Sequence, residues 1–520
     1  MHSVEAVLAL VVVATVVATF ARHLRVPAPS LLVVVGVGVG LIPGVPAIRV
    51  TPNVVSLVVL PPLVYAAGVE LAWRDLKQVW RPVAVLAVGL VVASAAGVAV
   101  LEAVVSHLSG ETAFVLGAIL ASTDPVAVTA LARRLSLPAG VQALIQAESL
   151  FNDATSLILF RVAVSIAVVG GGVAWGHTIL EFLRLAGGGA AVGAVVALAV
   201  GLLRRRTQDP VLETVIVLIT PYLAYVAGEA LGTSGVTAVV VASVALGNRT
   251  ASQATGDIRL QLEAVYGTVV FLLESVVFAL IGLELPVQIR DLSGVERLWP
   301  LAALAVVGVL LVMRVLWVFP LSAVDHVLRR RPGRPSWQVP AVVTWAGARG
   351  VIPLAAALSI PLTTENGAPF PDRGLIQVLA TMVIVITLAV QGFTLGPLVR
   401  RARVSVDPSV TGRDEAYARR RMASSALEHL EQLAELEAAP GLVIEQLRRS
   451  LLARLDHLDG DVDPARPETS LEATYRRLRH DLIGVERAEL ALLYDQGRIN
   501  GATRRRLARM LDLEQAGLSG

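Results

Sequence analysis

The stretch Glu148-Ser-Leu-Phe-Asn-Asp153 places two carboxylates, an amide and a hydroxyl within an apolar run from about Ala139 to Val169. A run of about 20 apolar residues is long enough to cross a bilayer. An acidic side chain at the bilayer centre costs roughly 2.5 to 3.5 kcal/mol, so such residues mark ion or proton pathways. On a helix, Ser149, Asn152 and Asp153 lie at i, i+3 and i+4 and share one face. This face is predicted to hold a small cation, and Asp153 is predicted to exchange a proton.

Composition predicts the class of protein that carries this stretch. Of 520 residues, 55% are hydrophobic and 16% are charged, and the mean hydropathy is +0.70, which is typical of an all-α polytopic membrane protein. There is no cysteine, and the histidines lie near segment ends, in loops or in the tail, so no cofactor is predicted. Lys77 does not follow a Gly-rich loop, which excludes a Walker A ATPase. The arginines form short, separate clusters, so we expect no nucleic-acid partner.

The apolar runs predict about thirteen membrane spans. They start near residues 3, 28, 53, 82, 112, 139, 177, 210, 233, 261, 297, 338 and 374. Most basic residues fall in every second connection, for example Arg74/Lys77/Arg81 and Arg400/Arg401/Arg403. By the positive-inside rule these connections are cytoplasmic, which predicts an inner-membrane protein with its N-terminus outside. The charged sequence from 404 to 520 is predicted to be a cytoplasmic helical tail, and 1–403 the transmembrane domain.

Two of the predicted spans contain helix breakers beside a charge. Pro125 follows Asp124 in the fifth span, and Pro353 follows Arg349 and its flanking glycines in the twelfth. Corresponding interrupted helices in two six-helix halves indicate an inverted-repeat transporter with its site at the midplane. Freed carbonyls near Thr123 could then bind a cation, and Arg349 could neutralise a carboxylate.

Several of these residues also have purely structural interpretations. Asp124 is a good N-cap for a second half-helix. Glu148 and Arg349 are predicted to form a structural ion pair, which is usual where charges lie in lipid. Asn152 could serve only as a bond between helices. Asp153 has no cation within reach on its own helix, which favours a functional role.

Two further acids lie outside this stretch. Glu70 is near the cytoplasmic end of the third span and could extend to the interface. Glu274 is near the centre of the tenth span, where an acid needs a partner, for example Arg314, or a bound proton.

The polar motifs together resemble those of the monovalent cation/proton antiporters of the NhaP and NHE type. The matching stretches are Ser122-Thr-Asp-Pro125, Glu148-Ser-Leu-Phe-Asn-Asp153, Ala227-Gly-Glu-Ala-Leu-Gly-Thr-Ser-Gly235 with Gly247-Asn-Arg249, Arg314-Val-Leu-Trp-Val-Phe-Pro320 and Trp345-Ala-Gly-Ala-Arg-Gly-Val351. The resemblance implies a homodimer of thirteen-helix protomers. It implies dimerisation helices at about 1–81 and 177–285 and a moving core at about 82–170 and 297–403.

The resemblance also implies roles for individual residues. Asp153 would bind the ion and the proton, with Ser149, Thr123 and Glu70 as further sodium ligands and Asp124 acting through water. An Asn-Asp pair at 152 and 153 goes with electroneutral one-for-one exchange in this family. Two residues depart from the pattern: Glu274 stands where a polar asparagine is expected, and Ala348 replaces a larger apolar residue.

The function expected from these residues is exchange of sodium or lithium for protons by alternating access, with both ions competing for Asp153. A potassium/proton antiporter is the alternative within the transporter class, since sequence gives no cavity dimensions. A cation channel would also place acids in the membrane, but the chain has no carbonyl filter motif. A membrane enzyme is disfavoured because the chain contains neither a Gly-x-Ser-x-Gly motif nor a metal-ligand cluster.

Overall fold

The computed structural model describes most of the chain. The described residues are 12, 15–17, 19, 28–42, 52–71, 73–105, 108–124, 137–169, 175–207, 209–253, 256–292, 298–328, 336–364, 367–404, 408–436, 441–459, 471–496, 498, 503, 507–508, 510–511 and 514–515. Apart from one isolated bridge between Thr363 and Pro369, their regular structure is helical.

The helices follow the apolar runs of the sequence. Within the membrane part they are α1 (Ala28–Gly40), α2 (52–70, with a π-helical segment Val55–Val59), α3 (Trp73–Val105), α4 (Gly110–Ala121), α5 (Ala139–Val169), α6 (Trp175–Arg204), α7 (Pro210–Ala230), α8 (Gly235–Gln253), α9 (Gly256–Asp291), α10 (Trp299–Leu328), α11 (Gln338–Trp345), α12 (Val351–Leu358) and α13 (Arg373–Ala402).

Seven of these helices are long and apolar enough to cross a membrane, and four shorter apolar helices accompany them. The seven have hydropathies between 1.5 and 2.6 in their most apolar windows. The prediction of an all-α polytopic membrane protein is therefore confirmed. The number of thirteen spans and the inverted repeat stay predictions, since most of the first predicted span lies outside the described residues.

Two helices end within the packed interior. Helix α4 ends at Ala121, and Ser122 to Asp124 are not helical. Helix α11 ends at Trp345, and a non-helical segment precedes α12. The two breaks touch, because the backbone N–H of Asp124 donates to the carbonyl of Ala348 over 2.7 Å. A buried, broken helix needs such partners for its unpaired backbone groups.

Helix α5, which carries the acidic stretch, lies against α4, α3 and α8. The hydroxyl of Ser156 donates to the carbonyl of Ala118, which joins α5 to α4 over 2.7 Å. These contacts hold α5 beside the break at the end of α4.

Contacts divide the chain into two compact units, Met1–Val406 and Asp407–Gly520. The second unit contains α14 (Pro408–Leu436), α15 (Gly441–Asp459) and α16 (Leu471–Asp495). Its small apolar core is formed by Ile483, Leu490 and Leu511. Arg479 of α16 bridges Glu486 and Glu514 at 3.1 and 2.7 Å on its surface.

Candidate ion-binding site

Asp153 is buried on α5 and faces the break in α4. Its side chain is 2% exposed. The hydroxyl of Ser122 donates a hydrogen bond to its Oδ1 atom. Ser122 is the first residue after α4. The end of the helix therefore places the Ser122 hydroxyl beside the carboxylate of Asp153.

Thr123 is held by two residues of the same α5 face. The hydroxyl of Ser149 donates to the Thr123 carbonyl, and the amide Nδ2 of Asn152 donates to the Thr123 hydroxyl over 3.2 Å. The other amide atom, Asn152 Oδ1, is buried and has no hydrogen-bond partner among the described residues. Oxygen atoms of this kind suit a hard cation. The structure thus brings together the predicted residues Ser149, Asn152, Asp153 and Thr123.

A cavity of about 620 Å³ reaches this cluster. Asp153, Thr123 and Asp124 line one side of it, and α2 and α9 supply much of the remaining wall. The rings of Tyr65 and Tyr266 line this wall and stack with their centroids 5.7 Å apart. A buried carboxylate therefore has access to a space large enough for hydrated ions.

Glu70 and Glu274 line the same cavity but stand apart from the hydrogen-bonded cluster. Glu70 is the last residue of α2 and is exposed. Neither acid forms a hydrogen bond or an ion pair with any residue that the structure describes. The suggested pairing of Glu274 with Arg314 is wrong, since Arg314 has another partner. Asp124 lies at the cavity wall, and the half-helix it is predicted to cap lies outside the described residues.

Glu148 forms its ion pair with Arg314 of α10, so the predicted direct pair with Arg349 is wrong. The pair is bidentate, with Nη1 to Oε1 at 2.7 Å and Nη2 to Oε2 at 3.2 Å, and both side chains are 2% exposed. Arg314 also donates to the carbonyls of Val343 and Thr344 at the end of α11. Its charge thus compensates both a carboxylate and a helix C-terminus.

Arg349 serves instead the equivalent end of α4. Its Nη1 donates to the carbonyls of Ala121 and Ser122 at 2.9 and 2.5 Å, and its backbone N–H donates to Thr387. A cation at a helix C-terminus is favourable. The adjacent Gly350 is needed for space, because a Cβ atom there would overlap the carboxylate of Asp124.

Sequence reasoning missed two contacts of the site. Ser122 was part of the quoted motif, yet its bond to Asp153 depends on how the break is oriented. The sequence suggests Arg314 only as a partner of Glu274, although an arginine in an apolar run indicates that some carboxylate lies opposite it. The sequence contains both residues, but their partners follow only from the three-dimensional structure.

Comparison with known proteins shows the family of the chain. The model of the family described as "Sodium/hydrogen exchanger, transmembrane" matches residues 9–401. An uncharacterised Na⁺/H⁺ exchanger of Mycobacterium bovis is 34% identical over 525 residues, which cover 98% of this chain and 96% of the relative. The chain belongs to the sodium/hydrogen exchanger family. It is a multi-pass membrane protein that exchanges cations for protons, and the prediction that it is a transporter and not an enzyme is confirmed.

One further relative supports the family, and one solved structure shows a similar fold. The Na⁺/H⁺ antiporter ApNhaP of Aphanothece halophytica is 31% identical over 418 residues, covering 80% of this chain and 76% of the relative. The sodium proton antiporter MjNhaP1 of Methanocaldococcus jannaschii has a similar fold, with a TM-score of 0.65 over 77% of this exchanger and 99% of that chain, at 20% identity.

Proposed function

We propose that the exchanger moves sodium or lithium against protons, one for one, with both ions competing for the carboxylate of Asp153. The observation that carries this proposal is the position of Asp153, which is buried yet lines a cavity of about 620 Å³. Three groups that could bind a cation with it are the hydroxyl of Ser149, the oxygens of Thr123 and the free Oδ1 of Asn152. Asp124 and Glu70 would act at the cavity wall, Asp124 through water.

A single carboxylate is sufficient for obligatory exchange. Loaded with either sodium or a proton, Asp153 is neutral overall, whereas the empty anion is costly to carry through a low-dielectric barrier. The empty site therefore does not cross, and each crossing of a cation requires the return of a proton. Asn152 adds no charge, which supports the electroneutral stoichiometry. Glu274 would alter that stoichiometry only if its own charge changed during the cycle.

Alternating access would come from movement of one helix group against the other. The core group would be about 82–170 with about 297–403, and the dimerisation group about 1–81 with about 177–285. The cavity supports this division, because Asp153 and Asp124 belong to the first group and Glu70 and Glu274 to the second. Two such protomers would form a homodimer in the inner membrane, with the N-terminus outside and the tail in the cytoplasm.

The test uses proteoliposomes with a trapped pH dye and an imposed proton gradient. Sodium, lithium or potassium is added to wild type, to Asp153→Asn and to Asp481→Asn, which makes the same change at an exposed tail position. Sodium and lithium are expected to collapse the gradient in wild type and in the tail variant. Asp153→Asn keeps a group that accepts from Ser122, so it is expected to fold and to lose exchange.

Competition has its own signature in the same assay. The apparent KM for sodium should rise as pH falls, approaching about tenfold per pH unit where the site is mostly protonated, as required when one proton leaves for each cation bound. Exchange by folded Asp153→Asn, or a KM that does not change with pH, would refute the assignment. A response to potassium alone would keep the mechanism and change the substrate.

A further inference from the structure

The N-terminal part of α3 is longer than a membrane span requires. Helix α3 has 33 residues and is therefore about 50 Å long, whereas the hydrocarbon core is about 30 Å thick. The apolar segment 85–105 is sufficient to cross that core. The preceding turns, Trp73–Ala84, are about 18 Å long and extend from the core through the headgroup region, and we call them the α3 extension.

The α3 extension has one buried face and one basic face. Leu76 and Val83 are buried against the protein. Arg74, Lys77 and Arg81 are exposed, and at 100° per residue they project on the side away from Leu76. Separate apolar and basic faces are typical of helical segments that contact a membrane surface.

Two tryptophans lie between the buried face and the basic face. Trp73 and Trp80 are 44% and 56% exposed. The Nζ atom of Lys77 lies 5.5 Å from the ring centre of Trp73, and the guanidinium carbon of Arg81 lies 5.6 Å from that of Trp80. Tryptophan favours the level of the headgroups. A cation held over its ring is fixed at that level.

The three cations of the α3 extension have no acidic partner in the part of the chain that the structure describes. None of them forms an ion pair with a carboxylate or donates a hydrogen bond to one there, and the extension itself contains one acid, Asp75. Three exposed positive charges and two interfacial rings therefore face the headgroup region together. This charge is complementary to a phosphodiester.

We propose that the α3 extension is a binding surface for anionic phospholipid headgroups. The occupant is the phosphodiester of a membrane lipid, bound by Arg74, Lys77 and Arg81 between the rings of Trp73 and Trp80. This surface is separate from the exchange mechanism, and it does not depend on which cation is carried.

Lipid bound here would contact the helix that supports the ion site. The α3 extension packs against α5, and its Leu76 belongs to the same apolar cluster as Ala147 and Leu150 of α5. Occupation of the surface therefore stabilises the folded membrane unit, which provides a direct readout of binding.

The experiment measures thermal unfolding of the full-length exchanger in neutral detergent as phosphatidylglycerol is added. Phosphatidylcholine and glycerol phosphate are added in parallel, to separate a membrane headgroup from its neutral counterpart and from the free anion. Phosphatidylglycerol alone is expected to raise the unfolding temperature. Stabilisation by phosphatidylcholine to the same extent, or by glycerol phosphate at the same concentration, would overturn the proposal.

The variants identify the surface. Each cation near an anionic surface contributes about fivefold in affinity, so Lys77→Gln should weaken the apparent phosphatidylglycerol affinity about fivefold and the triple variant Arg74→Gln/Lys77→Gln/Arg81→Gln roughly 100-fold. Arg205→Gln/Arg206→Gln, at an exposed pair after α6, should change it less than twofold. The charge-retaining Arg74→Lys/Arg81→Lys should stay close to wild type.

The single and charge-retaining variants keep the test valid even if the triple variant fails to fold. Unchanged affinity in Lys77→Gln, or an equal loss in the Arg205/Arg206 control, would refute the proposal. Sodium-dependent exchange is measured on the same variants and is expected to persist in Lys77→Gln. A failure of exchange in wild type would therefore concern the proposed function alone.

Discussion

The buried pair between Glu148 and Arg314 can be separated experimentally from the pair expected from sequence. In the structure, Glu148 makes two bonds to Arg314, at 2.7 and 3.2 Å, and none to Arg349. Two double-mutant cycles compare these alternatives. The first cycle uses Glu148→Gln, Arg314→Gln and the double variant. The second cycle uses Glu148→Gln, Arg349→Gln and their double variant.

The expected magnitudes follow from the contacts. Removing one partner of a buried pair costs about 3 to 5 kcal/mol, because the other charge is left uncompensated. For Glu148→Gln we expect the lower part of this range, because Arg314 retains the carbonyls of Val343 and Thr344. The coupling energy between Glu148 and Arg314 should be about 2 to 3 kcal/mol, and that between Glu148 and Arg349 below about 1 kcal/mol, since they share no bond.

The assay is reversible unfolding of the purified protein in mixed micelles by added SDS, followed by circular dichroism. Each cycle gives the free energy of unfolding for wild type, both single variants and the double variant. A coupling energy between Glu148 and Arg349 as large as that between Glu148 and Arg314 would refute the assignment of the pair. Equal and additive losses in the first cycle would also refute it.

Three further predictions concern the cavity and the breaks. In liposomes with a potassium diffusion potential set by valinomycin, the rate of wild-type sodium exchange should not depend on the potential. A dependence that Glu274→Gln removes would contradict electroneutral exchange and would show that Glu274 carries a second charge. Gly350→Ala should reduce the exchange rate more than tenfold, because the added Cβ would overlap Asp124. Gly374→Ala, where a Cβ meets no atom within 4 Å, should leave the rate unchanged. Similar rates in the two variants would contradict the close contact at Gly350. Asn152→Ala removes one hydrogen bond worth about 1 kcal/mol and should raise the KM for sodium roughly fivefold. Thr155→Ala should leave this KM unchanged, because the Thr155 hydroxyl bonds within its own helix. Equal effects of the two variants would exclude a specific role for the Asn152 amide.

Much of the site could be predicted from residue type and spacing. Ser149, Asn152 and Asp153 share a helix face because the helical period requires it, and the structure places all three beside the break in α4. The break itself follows from Pro125, whose ring is incompatible with a continuing helix. These are local properties of the chain, so the sequence was sufficient for them.

The partners of buried charges could not be predicted in the same way. Glu148, Arg314 and Arg349 lie far apart in sequence, and either arginine could neutralise the acid by charge alone. The choice depends on which helix end each guanidinium reaches: Arg314 reaches the end of α11, and Arg349 reaches the end of α4. That is a property of helix packing, which no spacing in the sequence encodes.

Hydropathy and helical period act over a few turns of one helix. They were therefore enough to predict an all-α membrane protein with an acidic, hydroxyl-bearing stretch at membrane depth. The packing of the helices was needed to show that Ser122 bonds to Asp153, that Arg314 pairs with Glu148, and that Glu70 and Glu274 share a cavity with the site. These contacts join different helices across the bundle, and their geometry is set by how the two broken helices meet rather than by any one segment.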